Sequence, residues 1–296
     1  MASAARSDAQ LAKAEAASAL ARALEEILNL HRPEFPDARR PIAPEPPAPD
    51  AETIAAKHRQ AATAGIGVFN RRARNEAREA ADRNARQEIA HIESMNRQMR
   101  QEYQAHLDGI WRRLVANEPD AVMGMLATAF EDNEAAAAPV GVTADEASIV
   151  VHVPAPDAVP ERRPTTTQAG NLSLKKLTKK EAADFYKLMV YGYVLVTVKE
   201  ALSVAPGLNH VRIVAVRTSG SDAYGQPRVE AILAARFDRQ RLKGVRWAGV
   251  DASTVMRDVA LEANARTVGP SKELAALDLS SEPELRALID AFEIAE

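Results

Sequence analysis

Apolar positions recur at helical spacing through the first half of the chain and shift toward period two in the second half. Leu20, Leu24, Ile27, Leu28 and His31 share one helical face. Pro33 must end that helix, because a residue before proline avoids the α region. Ser7-Asp8-Ala9-Gln10 has the form of a capping box and predicts the helix start. A second helical stretch, 51–64, breaks at Gly65-Ile66-Gly67-Val68-Phe69. The longest stretch, 70–117, opens with charge and alanine, with Glu79–Arg83 and Asp82–Arg86 in the favourable acid-first order. It then acquires a stripe of Ile89, Ile92, Met95 or Asn96, Met99, Tyr103, Leu107, Ile110 and Leu114. The steps alternate between three and four without a heptad, which favours packing on other helices over a regular two-stranded coiled coil. Such a helix would reach about 70 Å, so part of it is expected to project or to pair with another subunit.

Pro119 sits at the first turn of a further helix with Val122, Met125, Leu126, Ala129 and Phe130 inward. Residues 131–145 read as an acidic, alanine-rich connection, 147–153 as a strand and 154–176 as a long polar loop. Thr178-Lys179-Lys180-Glu181 is a second capping box, opening a helix that is apolar nearly all round over 190–198 and stops at Pro206-Gly207. Strands follow at 210–217 and 228–238, joined by a turn-rich loop as a hairpin. In the second, Val229, Ala231, Leu233, Ala235 and Phe237 alternate with Arg228, Glu230, Ile232, Ala234 and Arg236. A short strand at 244–247, a helix from Asp251 or Ser253 and a last helix from Ser281 complete the pattern. The fold class is α+β: long helices forming a coiled-coil-like arm, then a small, mainly antiparallel sheet packed by helices. The expected divisions are an N-terminal helix (1–31), a proline-rich linker (32–50), a helical arm (51–135) and an α+β domain (146–296).

Seven prolines between 32 and 50 make the linker stiff. The chain has no cysteine, which excludes a disulfide framework, thiolate zinc sites and cysteine nucleophiles. Residues 1–8 lack a cationic start and apolar core, so no signal peptide and a cytoplasmic location are expected. The most apolar run, 188–198, is too short for a bilayer of ~30 Å, so no membrane association is expected. Net charge is −3 but uneven: eight cations meet three acids in 201–250, and four meet ten in 251–296. Arg236, Arg239, Arg241, Lys243 and Arg246 are therefore the candidate nucleic-acid-binding residues, with internal charge pairing as the alternative.

A metal-dependent nuclease would need an acid on one strand and Glu-x-Lys on the next; Glu230 is followed by Ala231 and Ile232, leaving Glu230 and Asp238 as a weak pair. The six histidines form no metal-ligand spacing, and the glycines at 65 and 67 follow no strand and precede no Gly-Lys-Ser/Thr. No cofactor, metal or catalytic set is implied.

Ile42-Ala43-Pro44-Glu45-Pro46-Pro47, Phe130-Glu131-Asp132-Asn133-Glu134 and Leu177-Thr178-Lys179 resemble uncharacterised actinobacterial proteins with a helical arm and a C-terminal α/β region, and the alanine and arginine content fits a high-GC genome. That group has no known activity to transfer. The expected function is interaction or scaffolding, with the arm binding a second copy or another protein and the C-terminal domain able to contact nucleic acid. The alternative is a divergent nuclease or other enzyme of phosphate substrates.

Overall fold

The computed structural model describes residues 2–167, 172–221, 223–278, 280, 283, 286, 287 and 289, with side chains at residue 10 and from residue 12 on. The helix expected from Ser281 therefore lies mostly outside the described residues. Among these residues the chain is α+β, and no helix is long and apolar enough to cross a membrane. It forms two units, Met1–Ala38 with Arg113–Glu296, and Arg39–Arg112.

Helix α1 (Ala2–Asn29) is already helical through Ser7-Asp8-Ala9-Gln10, so that motif lies inside the helix and does not start it. Its face buries Ala17, Leu24 and Ile27, and the turn after it buries His31.

In the Arg39–Arg112 unit, α2 (Ala51–Thr63) starts at Asp50, whose carboxylate accepts from the Thr53 N–H. After the turn, α3 (Arg71–Val115) runs for 45 residues. His58 pairs with Glu88, and Arg59 with Asp82 at 2.7 Å, so α2 lies antiparallel along the first half of α3 over the buried Ala81 and Ala85. The expected Asp82–Arg86 pair gives way to this contact: Asp82 serves Arg59, and Arg86 donates to the Asp82 carbonyl.

The prolines after residue 38 do not form a free spacer. Extended proline-rich backbone has no internal hydrogen bonds, so its polar groups need outside partners. Residues of α3 four apart supply them. Arg40 grips Asp108 through two bonds of 2.7 and 2.6 Å. Gln104 accepts from the Ala43 N–H and donates to the Pro41 carbonyl. Arg100 reaches the Ala43 carbonyl and Glu45, and Asn96 reaches the Pro47 carbonyl. Ala43 is buried beneath this strap while Ile42 is exposed.

The other unit continues with α4 (Pro119–Phe130), burying Val122, Leu126 and Phe130. The connection expected at 131–145 contains a strand, β1 (Ala137–Thr143), paired antiparallel with β2 (Glu146–His152). Pro139 and a register shift before Gly141 are tolerated there because β1 is an edge strand. The polar loop after β2 likewise contains a separate hairpin, β3 (Arg162–Thr166) with β4 (Leu172–Lys176). Helix α5 (Lys179–Val204) starts with the predicted capping box, Thr178 and Glu181 exchanging both bonds. Its buried Val190, Val194, Leu195 and Val198 make it the central core helix. Strands β5 (His210–Ser221) and β6 (Pro227–Asp238) form the expected hairpin, with β5 also parallel to β2.

The chain then forms α6 (Arg239–Lys243), α7 (Ala252–Val259), β7 (Glu262–Asn264), β8 (Arg266–Val268) and β9 (Glu273–Ala275). No strand forms at 244–247, where the chain turns. The main sheet has the order β1-β2-β5-β6-β7, and β8 pairs with β9 apart from it. Helix α1 packs on α5 and on the β3–β4 hairpin, and α5 covers one face of the sheet. On the other face Val150, Val214, Val216, Ala231 and Ala234 pack under Ile289 and Leu277.

His31 ties α1 to the loop before α7. Its Nε2 lies 2.7 Å from the Val250 carbonyl, while its buried Nδ1 has no hydrogen-bond partner among the described residues. Protonating Nδ1 would bury an N–H without an acceptor, so burial, foremost among the causes, holds the His31 pKa below its usual value. A folded pKa below the unfolded one means that the unfolded chain binds the extra proton first. Stability should be full above about pH 6.5 and fall as the pH drops below it toward the folded pKa. Thermal melts at descending pH should show a steeper loss for the wild type than for His31→Gln, whose amide can still donate to Val250. Equal slopes would contradict this.

Candidate functional site

The outer face of the sheet carries a row of charges fixed by register. Arg212 on β5 stands directly opposite Arg236 on β6, a like-charge pair that is unfavourable alone. Glu146 on β2 resolves it, accepting from Arg212 Nε at 3.1 Å and Arg236 Nε at 2.5 Å. Glu262 on β7 lies 3.8 Å from Arg236. One row end holds His210, whose ring nitrogens face Asp145 at 3.4 Å and Asp238 at 3.5 Å. The Asn209 amide, foremost, holds the Asp145 carboxyl below its usual range. Glu146→Gln keeps the shape but leaves two arginines facing each other. It should cost about 2 kcal/mol, less than the ~3–5 of a fully buried broken pair, read as a lower urea midpoint at unchanged m-value.

Of the five basic candidates, Arg236 belongs to this row. Arg239 is largely buried and caps the end of α5: its Nε donates to the Leu208 carbonyl at 2.6 Å and its Nη2 to the Ala205 carbonyl at 2.9 Å. Burial pushes its guanidinium pKa down, and Asp37 at 4.0 Å opposes that. Arg241 donates to the Val259 and Ala260 carbonyls, both at 3.4 Å, at the end of α7. Among the described residues no hydrogen bond or ion pair holds the side chains of Lys243 and Arg246. Three of the five candidates thus act within the fold, and the five do not form one surface cluster.

Arg239 and Lys243 border an open cleft of about 210 Å³ that also contains Lys199 and Trp247. Lys199 Nζ donates to the carbonyls of His31, Arg32 and Pro33 and lies 4.0 Å from the Trp247 ring centre. Burial pushes its pKa down to about 8, opposed by Glu34. All three ammonium donors are thereby committed to closing the turn after α1. Sequence reasoning missed this clamp because Lys199 sits at the close of an apolar run, where the chain alone suggests only a helix end.

Glu230 and Asp238 do not share a cleft. Opposite β5, Ala215 faces Leu233 but Val216 faces Ala231, leaving Ile232 as the extra residue of a β-bulge. The bulge reverses which face the side chains before Ile232 take, so Ala231 joins Val214, Val216 and Ala234. Strict alternation had placed Ala231 with Leu233 and Phe237 instead. Glu230 consequently points to the α5 face, where Arg217 binds it at 2.7 Å and stacks 5.7 Å from the Tyr186 ring. Asp238 remains on the opposite face beside His210. Among the described residues no group of three or more His, Asp or Glu could hold a metal ion.

The Arg39–Arg112 unit carries a run of exposed apolar side chains. Beyond the reach of α2, the α3 stripe stays open: Met95 is 49% exposed, Met99 53%, Tyr103 50% and Ile110 41%. These residues lie beside the polar ladder Asn96, Arg100, Gln104 and Asp108 that holds the strap. The strap therefore covers the neighbouring face and leaves the apolar one to solvent. At the tip of the same unit Val68 and Phe69 are also exposed.

No protein-family model, no curated protein and no solved structure matches the chain.

Proposed function

We propose that the protein is an interaction or scaffolding protein that self-associates through the open stripe of α3. The carrying observation is that four large apolar side chains, Met95, Met99, Tyr103 and Ile110, stand about half exposed on one face of a helix whose adjacent face is fully engaged. Exposed apolar surface of this continuity marks contact sites in soluble proteins.

The spacing favours a second copy as the occupant. The stripe is nearly palindromic about position 101: antiparallel pairing sets Ile92 against Ile110, Met95 against Leu107 and Met99 against Tyr103. A two-fold interface of this kind is self-complementary and closed. Methionine sulfur against a tyrosine ring is a favourable contact worth ~0.3–1.5 kcal/mol. The stripe extends about 27 Å along the helix, a short seam, so the association is expected to be reversible and concentration-dependent. Commitment of Arg236, Arg239 and Arg241 to internal contacts supports a protein partner over a nucleic acid. Light scattering across a concentration series should give a mass rising from 32.0 kDa toward twice that value. A constant monomer mass would contradict the proposal.

A further inference from the structure

A separate groove in the other unit has a chemistry of its own. It runs between the end of α1, the turn from Leu30 to Phe35 and α5. Two neighbouring hollows of about 240 and 420 Å³ share Leu30, Pro33, Glu134 and Tyr193 as walls. The larger, at about 420 Å³, falls within the range of small-molecule sites, ~300–1,000 Å³. The walls are apolar: Ile27 from α1, Leu30 from the turn after it, Met189 and Val196 from α5, and prolines from the flanking loops. The charged residues that line it all have the same sign: Glu26, Asp132 and Glu134. Neither hollow is lined by a lysine, arginine or histidine among the described residues.

Tyr193 supplies the polar centre. Its hydroxyl donates to Glu134 Oε2 at 3.4 Å, a long bond that leaves the phenol oxygen able to accept from a third group. Burial, then the Glu134 charge, raises the Tyr193 pKa, so the phenol stays neutral and keeps its proton. A cation beside both oxygens would satisfy the carboxylate and the phenol together, and the ring would add a cation–π contact.

We propose that this groove binds a protonated organic amine with an apolar body, the ammonium at Glu134 and Tyr193 and the body against Ile27, Leu30 and Met189. The negative rim selects the cation and the apolar walls select its body; an anion of the same shape meets only like charge. The site is distinct from the α3 stripe, and its occupancy does not depend on self-association.

The test uses the full chain and three probes of matched shape: tryptamine (cationic), tryptophol (neutral) and indole-3-propionate (anionic). Titration calorimetry should show tryptamine binding at least about tenfold more tightly than tryptophol, a difference of ~1.4 kcal/mol, with no binding of the anion. Glu134→Gln, on an exposed turn, should bring tryptamine down to the tryptophol level and leave tryptophol unchanged. Glu26→Gln serves as a second, surface variant and should weaken tryptamine by a smaller factor. Equal affinity for the three probes, no binding of tryptamine at ~10 mM, or a Glu134→Gln affinity equal to wild type would overturn the proposal.

Discussion

Gly192→Ala should destabilise the protein, although helix propensity alone predicts the opposite. Glycine inside a helix costs roughly 0.5–1 kcal/mol relative to alanine, so an exposed site of this kind would gain from the change. Position 192 is in the middle of α5, where α1 crosses closely. A Cβ at that position would lie 2.6 Å from Leu30 Cβ, with Leu30 Cδ1 at 3.3 Å and Cγ at 3.5 Å. The first contact involves the root of the Leu30 side chain, which a rotamer change cannot move. Either α1 lifts from α5 or both helices deform, and overpacking of that kind costs ~1–3 kcal/mol. The net effect of alanine is therefore a loss, and Gly192→Val should lose at least about 2 kcal/mol. Because His31, Lys199 and Trp247 hold the same crossing, the loss should appear as early melting of the α1 contact. Chemical denaturation with a probe on Trp247 reads it; a midpoint raised by Gly192→Ala would show that the close approach is absent.

Met99→Asp should abolish self-association while leaving the fold intact. Met99 is half exposed and lies near the centre of the palindromic stripe, so the monomer loses no core packing. In the paired state the new carboxylate would be buried against Tyr103 of the other copy with no cation within the stripe to meet it. Burying an unpaired charge costs several kcal/mol, more than a short seam of apolar contacts can offset. Light scattering should show a monomer at every concentration, with the thermal midpoint within about 1 °C of wild type. A variant that still associates would remove the stripe as the contact surface.

Much of this organisation was legible in the chain. The 45-residue α3, the capping box at Thr178, the apolar α5 and the β5–β6 hairpin each combine a strong local signal with a matching tertiary role. The misses have physical causes. Strand β1 reads as alanine, proline and glycine because an edge strand needs neither β-branched residues nor every N–H. The bulge at Ile232 has no local signature, yet it decides which face Glu230 takes. The strap reads as a linker because its bonding partners, Asn96 to Asp108, lie 49 to 68 residues away and look like an ordinary solvated helix face. The basic candidates are legible in the chain only as cations; their partners, Glu146, Asp37 and carbonyls at helix ends, are set by the fold alone.

The absence of cysteine in the chain permits a direct test of the antiparallel pairing. Met99→Cys and Tyr103→Cys proteins would be prepared separately, mixed and mildly oxidised. Pairing about position 101 places residue 99 of one copy beside residue 103 of the other, within the ~4.4–6.8 Å Cα separation a disulfide needs. Facing Cα atoms lie ~2.3 Å in from each axis, so helices ~8–10 Å apart leave them ~3–5 Å apart laterally. The ~6 Å axial offset of like positions takes those to ~7–8 Å, beyond that reach. The account predicts a crosslinked dimer in the mixture and little in either protein alone. Equal crosslinking of Met99→Cys with itself, or none in the mixture, would contradict it.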